Sequence, residues 1–232
     1  MTMGDTVKFQ VAIDGPAASG KSTLARLLAG RIGGYYINTG DMYRAATWYI
    51  LSRGIDPAHS PEDAAALLAE CDIRYRIADG KPQLFLNDAP VDAAAIRSPE
   101  VASKVSHTAR IPAVRQWMLE RQQGCSELGI VIMEGRDIGT VIFPRARFKY
   151  FVTASPEERA RRRFAQPGEV PPGATLESVA RDIAERDRID STREVAPLKP
   201  AEDAVMICSD GFTAEELADN VAQMIRKELA AG

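Results

Sequence analysis

The chain has 232 residues, of which 45% are hydrophobic and 26% charged, and its formal net charge is −3. This composition is typical of a folded protein and excludes an intrinsically disordered chain. The slightly acidic balance also excludes a general basic field for nucleic acid or anionic lipid, so any anion site must be a local cluster of cations. The length fits one large domain, or one core that carries smaller insertions.

Strand-type and helix-type patterns alternate along the chain. In chain order they predict a strand at 7–13, a helix at 24–32, a strand at 35–38, a helix at 42–51, a helix that begins near Ser60 and Pro61, and a β-hairpin at 73–91. They continue with helical stretches over 101–123 interrupted near Pro112, strands at 129–133 and 148–152, a helix from Ser155, a loop at 166–173, a helix at 176–188, a strand at 204–207 and a helix at 214–229. This order predicts an α/β fold with a mostly parallel, doubly wound sheet, and the hairpin suggests a small inserted subdomain.

The cysteines and the apolar runs bear on location. Cys71, Cys125 and Cys208 are widely spaced, and no CxxC or Cys/His grouping occurs. This pattern is typical of reduced thiols in a cytoplasm, without a disulfide framework or a zinc site. No run approaches the roughly 18 apolar residues that cross a bilayer, and the N-terminus lacks a signal-peptide pattern. We therefore expect a cytoplasmic monomer with no membrane or nucleic-acid partner.

The strongest motif is the segment GPAASGKS, Gly15–Ser22, which satisfies GxxxxGK[ST] between a predicted strand and a predicted helix. Glycines allow backbone N–H groups to curl around phosphates, and the helix that follows points its positive end at them. Lys21 supplies a charge for the β- and γ-phosphates, and the Ser22 hydroxyl suits the Mg²⁺ ion that bridges them. The segment predicts a nucleoside triphosphate site.

Arginines form the second functional signal. Eight of them stand at strand ends, in loops or on neighbouring helices: Arg44, Arg115, Arg136, Arg159, Arg162, Arg163, Arg186 and Arg193. Arg136 and Asp137 follow the most apolar strand, where an open α/β sheet places ligand contacts. Guanidinium groups relieve the repulsion between two phosphate-bearing substrates, so this set favours phosphoryl transfer to an anionic acceptor. The basic run at 158–163 could equally be a solvated helix face with i,i+4 pairs.

These motifs together resemble one family, the bacterial cytidylate kinases. The resemblance is carried in order by the phosphate loop, TGDMYR (39–44), IRSPEV (96–101), EGRDIGT (134–140), ERA (158–160), and ERD (185–187) through VAPL (195–198). It implies a three-layer P-loop kinase fold with a five-stranded parallel sheet, and transfer of the ATP γ-phosphate to CMP or dCMP with Mg²⁺. It further implies a core (1–43, 104–155 and 187–232), an insert that binds the nucleoside monophosphate (44–103) and a short lid (156–186).

The resemblance also implies site residues. For ATP these are Gly15, Pro16, Ala17, Ala18, Ser19, Gly20, Lys21, Ser22, Thr23, Arg162 and Arg163, with Ser22 as the Mg²⁺ contact beside the nucleotide phosphates. Arg44, Arg136 and Arg193 would hold the CMP phosphate, Ser106, Arg115 and Asp137 would read cytosine, and Arg186 and Asp190 would lie at the ribose, with Thr39 nearby. The implied catalytic residues are Lys21, Arg136, Arg159 and Arg193.

Two positions depart from the family pattern, and two other functions stay open. The family usually has D(S/T)G and then a small residue, where this chain has Asn38 and Asp41 around Thr39 and Gly40. A P-loop alone would also fit a kinase for AMP, UMP or shikimate, or a nucleotide-binding regulator without transfer activity. The arginine set favours a kinase over a regulator.

Overall fold

A computed structural model describes residues 8–166 and 170–231, so parts of the first predicted strand, of the 166–173 loop and of the outer core bounds lie outside the described residues. The strands are β1 (Gln10–Asp14), β2 (Tyr35–Asn38), β3 (Ile73–Ala78), β4 (Lys81–Leu86), β5 (Ala89–Pro90), β6 (Val131–Gly135), β7 (Phe148–Thr153) and β8 (Val205–Cys208). The helices are α1 (Lys21–Ile32), α2 (Thr39–Ser52), α3 (Pro61–Ala69), α4 (Pro99–Arg110), α5 (Pro112–Gln123), α6 (Pro156–Phe164), α7 (Leu176–Thr192) and α8 (Ala214–Ala231).

The main sheet has five strands, all parallel, in the order β2-β6-β1-β7-β8. Helices α1 and α8 cover one face, where Leu28, Val221 and Ile225 pack against strand residues such as Val11. On the other face a second cluster forms around Met133. This arrangement confirms the predicted α/β fold with a five-stranded parallel sheet.

The predicted hairpin is confirmed as part of a second, smaller sheet. Strands β3, β4 and β5 form an antiparallel three-stranded sheet. Its inward residues, among them Ile73, Leu84 and Leu86, join a hydrophobic cluster with Leu68 of α3 and Met118 of α5. This cluster is distinct from the two clusters on the faces of the main sheet, and Tyr75 of β3 packs against both it and the cluster around Met133.

The ends of several helices are now defined, and two of them differ from the predictions. Helix α2 begins three residues early, at Thr39, because the Asn38 side chain accepts a hydrogen bond from the backbone N–H of Asp41 and caps the helix. The predicted break near Pro112 is confirmed, with α4 ending at Arg110 and α5 beginning at Pro112. Helix α7 continues past its predicted end at Arg188 and ends at Thr192.

Helices α6 and α7 cover the loop that joins β1 to α1. Ala17 of that loop is buried against Val179 and Ile183 of α7. The three cysteines are free, Cys71 and Cys125 being buried and Cys208 exposed. In the described part of the chain, no helix is long and apolar enough to cross a membrane.

Candidate active site

The phosphate loop lies between β1 and α1, as its motif predicts. Gly15 has φ +151°, and a Cβ there would stand 2.1 Å from the Val152 carbonyl oxygen, so only glycine fits. Gly20 precedes α1 with φ +87° in the left-handed region, which also favours glycine. The loop thereby presents its backbone N–H groups and the positive end of α1 to one point.

Lys21 is buried at the centre of this loop. Its Nζ donates a hydrogen bond to the Pro16 carbonyl oxygen at 2.8 Å. Burial, with the nearby Arg136, Arg186 and Arg163, lowers the pKa of Lys21 to about 7, against the pull of Glu134. An anion bound beside Lys21 would raise this pKa again and so favour the charged amine.

A cleft of about 320 Å³ opens from the loop along the carboxyl ends of β1, β2 and β6. It brings together most of the site residues inferred from the sequence: Ala17, Ala18, Ser19, Gly20, Lys21, Ser22, Thr23, Thr39, Arg44, Ser106, Arg115, Arg136, Asp137, Arg162, Arg163, Arg186, Asp190 and Arg193. Gly15, Pro16 and Arg159 do not line it. This position at the carboxyl edge of a parallel sheet is the usual ligand site of such folds.

Four arginines crowd the middle of the cleft beside Lys21. Burial and mutual repulsion lower the pKa of Arg163 to about 9, and those of Arg44 and Arg186 to about 10. Arg136 contributes to each of these shifts. We call Lys21, Arg44, Arg136, Arg163 and Arg186 the cation cluster. Its repulsion is relieved by a ligand that carries several negative charges.

The far end of the cleft holds a buried network of two carboxylates and three arginines. Asp137 pairs with Arg115 through one oxygen, and its other oxygen lies 3.4 Å from Arg193. Arg136 donates to Asp190 at 2.8 Å. Burial alone would raise the pKa of Asp190, but Arg136, Arg186 and Arg193 together hold it below its usual range. Both carboxylates are therefore fixed in position before a ligand arrives.

Arg159 and Arg162 of α6 reach the phosphate loop from its outer side. Arg159 pairs with Asp187 of α7, whose other oxygen accepts a hydrogen bond from the Ala17 N–H at 3.1 Å. Arg162 donates to Ser209 at 2.8 Å, and the Ser209 hydroxyl donates to the Ser19 carbonyl oxygen at 3.0 Å. Arg159 also donates directly to the Ala17 carbonyl oxygen at 3.3 Å, whereas Arg162 acts on the loop through Ser209.

Several buried polar atoms of the site have no hydrogen-bond partner among the described residues. They are the Ser19 and Tyr43 hydroxyls and the Nε atoms of Arg115, Arg159 and Arg186. Buried polar groups in folded proteins are nearly always satisfied. These atoms are consistent with a polar ligand that completes the site.

The motif analysis assigned no role to four further cleft residues: Asp41, Tyr43, Arg97 and Glu134. One Arg97 nitrogen contacts both Asp41 oxygens, at 2.9 and 3.0 Å. Asp41 departs from the family pattern and Arg97 lies in the IRSPEV segment, but nothing in the sequence indicates that these residues, 56 positions apart, form a pair. Glu134 is buried and accepts a hydrogen bond from the Tyr36 hydroxyl at 2.7 Å.

A metal ion would rely on the nucleotide for most of its ligands. Among the described residues no group of three or more His, Cys, Asp or Glu side chains could hold one. The Ser22 residue is exposed and lines the cleft at the start of α1. This residue set fits Mg²⁺ that arrives with triphosphate oxygens.

The strand, loop and helix around Lys21, together with a cation-lined cleft, define a P-loop phosphotransferase. Residues 11–227 match the sequence model of cytidylate kinase. The chain therefore belongs to the cytidylate kinase family, which confirms the resemblance inferred from the motifs.

Individual relatives agree with this assignment. The chain is 41% identical over 225 residues to the cytidylate kinase of Streptococcus thermophilus (strain ATCC BAA-491 / LMD-9), covering 97% of this chain and 99% of that protein. It is 46% identical over 225 residues to the bifunctional pantoate ligase/cytidylate kinase of Synechococcus sp. (strain WH7803), covering 95% of this chain but 45% of that protein. The chain thus spans less than half the length of the bifunctional relatives it matches. A shikimate kinase structure from Bacteroides thetaiotaomicron superposes with a TM-score of 0.49 at 15% identity, covering 95% and 99% of the two chains, which is too distant to bear on substrate.

Proposed function

We propose that the protein transfers the γ-phosphate of ATP to CMP or dCMP, giving ADP and CDP or dCDP. The observation that carries the proposal is the cation cluster, which lines a single cleft together with the phosphate loop and the Asp137–Arg115 pair. A donor triphosphate on one side and an acceptor phosphate on the other would place their charges on the same five cations. Such a cluster stabilises charge as it moves between the two phosphates.

The acceptor is already anionic, so the transfer needs no general base from the protein. Lys21 and the loop N–H groups would hold the donor phosphates, while Arg44 and Arg136 would hold the acceptor phosphate for in-line attack. Mg²⁺, held by Ser22 and the nucleotide, would supply neutralising charge on the triphosphate. Arg162 would change partner from Ser209 to the ATP phosphates on binding.

The contacts of Arg186 and Arg193 support a different role in substrate binding for each of them. Arg186 belongs to the cation cluster and has an unpartnered Nε, so it suits the transferred phosphate. Arg193 lies between Asp137 and Asp190, where it suits the base and ribose end. We propose these positions in place of the ribose role that the resemblance implies for Arg186 and the phosphate role that it implies for Arg193.

Asp137 would read the cytosine base. Cytosine presents an exocyclic amine donor where uracil has a carbonyl acceptor. The Asp137 oxygen next to Arg193 has only a 3.4 Å contact and can accept from that amine, while the other oxygen keeps Arg115 in place. Arg115 and Ser106 would satisfy the acceptor side of the ring. We therefore expect CMP to be preferred over UMP.

The insert and the lid are proposed to close over the substrates. The insert (44–103) carries Arg44 and Arg97 to the cleft, and the lid (156–186) carries Arg159, Arg162 and Arg163. Closing would bring these side chains onto the phosphates and exclude water that would otherwise hydrolyse ATP.

An acceptor panel tests the proposal. The protein with ATP and Mg²⁺ is given CMP, dCMP, UMP, AMP or shikimate, and ADP release and the phosphorylated product are both measured. We expect turnover with CMP and dCMP well above the others, and its loss in Lys21→Ala. Arg161→Gln is the control and should keep this turnover. Arg161 adjoins Arg162 on α6 but is exposed, and the side-chain contacts described for it are with Glu158 alone. Preference for another acceptor, or ATP binding without CMP turnover, would contradict the proposal.

A further inference from the structure

Asp137 begins a π-helical turn, Ile138–Ile142, without capping it. It stands at the N-cap position with φ −146° and ψ 24°, and its side chain makes no hydrogen bond to the turn. Its carboxylate instead faces Arg115 and Arg193 across the cleft. An aspartate at this position would ordinarily accept hydrogen bonds from the first N–H groups of its own turn.

Asp14, the last residue of β1, caps the turn from outside. One of its oxygens accepts the Ile138 N–H at 2.8 Å, and the other accepts the Gly139 N–H at 2.7 Å. The partners are 124 and 125 positions apart in the chain. Because Gly15 follows directly, this carboxylate joins the start of the phosphate loop to the start of the turn that carries Asp137.

Burial opposes a charged carboxylate at this position, whereas the hydrogen bonds favour it. Asp14 is 3% exposed, and burial raises its pKa to about 7, against the two N–H groups that lower it. Only a carboxylate offers one acceptor oxygen to each of two N–H groups, since asparagine offers a single oxygen.

We propose that Asp14 is a positioning residue that caps the turn in place of Asp137 and so leaves the Asp137 carboxylate available to read the acceptor base. The inference rests on the proposed function. Without Asp14, two buried N–H groups lose their acceptors, and Asp137 is the carboxylate next to them in the chain. It would turn back toward its own turn and away from Arg115.

Asp14→Asn tests this directly, because it keeps the shape and removes one acceptor. We expect the ratio of kcat/KM for CMP to that for UMP to fall about tenfold or more, the equivalent of one hydrogen bond to a charged group. The KM for ATP should stay within about twofold. Asp14→Glu keeps both acceptor oxygens but moves them by one methylene, so it should also lower this ratio. It carries the test if Asp14→Asn does not fold.

The controls separate positioning from loss of stability. Val221→Ala removes packing in the α1–α8 core, far from the turn, and should lower Tm without changing the ratio. In an Asp137→Ala background, Asp14→Asn should leave the ratio unchanged, because the side chain through which it acts is gone. A wild-type protein without CMP preference overturns the proposed function. A normal wild-type preference that is unchanged in Asp14→Asn, or in Asp14→Glu where Asp14→Asn does not fold, overturns this inference alone.

Discussion

Binding of ATP is expected to draw about 0.9 proton from solvent at pH 8, because the buried Lys21 is mostly neutral in the free protein. With a pKa of about 7 in the free protein, Lys21 is about 9% protonated at pH 8 and half protonated at pH 7. The triphosphate places several negative charges beside Lys21, which restores its pKa toward the usual range. Protons are taken up and not released, because the pKa of Lys21 is lowered in the free protein and rises when the anion binds.

The same linkage sets the pH dependence of affinity. The Kd for ATP should rise about fivefold between pH 7 and pH 8, and by close to tenfold per pH unit above that until the bound-state pKa is reached. Titration calorimetry in two buffers with different ionisation enthalpies measures the proton number directly. A Kd series over the same pH range gives an independent value.

Two variants assign the proton to Lys21. Lys21→Arg keeps a charge that does not titrate in this range, so most of the proton uptake should be lost even if the affinity is lower. Asp14→Asn removes the other nearby group with a pKa of about 7 and should leave most of the uptake. An uptake near zero for the wild type at pH 8, or an equal uptake in Lys21→Arg, would refute the reasoning.

Three further predictions concern the loop and its neighbours. Asp187→Asn should reduce kcat several-fold with little change in Tm, since it weakens the partly buried pair that orients Arg159; an unchanged kcat in steady-state assays would remove Arg159 from the mechanism. Gly15→Ala should abolish ATP binding or folding, because its Cβ would overlap the Val152 carbonyl; normal ATP affinity by calorimetry would contradict the loop geometry. Arg136→Gln should lower kcat about 100-fold or more and also reduce proton uptake on ATP binding, whereas a change in KM alone would mean that it acts only in binding.

Local signals made much of the fold predictable from the sequence. The helix start at Ser155 depends on a hydroxyl that accepts the Glu158 N–H three residues later, and the break before Pro112 depends on a missing backbone donor. Gly20 of the phosphate loop is similar, because its left-handed backbone conformation is required within the motif, whereas Gly15 is required by the distant Val152 carbonyl. Apart from the Gly15 contact, each of these features is determined by a few consecutive residues, so it can be recognised in the sequence.

The parts that sequence reasoning missed depend on contacts between distant segments. Asp187 reaches Ala17 across 170 positions, and Asp14 reaches the π-helical turn across 124. The sequence around Asp14 or Asp187 does not indicate which distant residue each carboxylate contacts. The π-helical turn itself has no periodicity to detect over five residues, and the Asp14 cap that satisfies it comes from another strand.

The central claim is that one cation cluster holds a donor and an acceptor phosphate at the same time. A compound that joins adenosine to cytidine through five phosphates would fill both halves of the cleft, and calorimetry gives its Kd beside those of ATP and of the uridine analogue. We expect the cytidine compound to bind at least about tenfold tighter than either, with the advantage reduced in Arg163→Gln and kept in Arg161→Gln. Equal affinity for the cytidine compound and ATP would contradict a two-phosphate site. Equal affinity for the cytidine and uridine compounds would contradict base reading at Asp137.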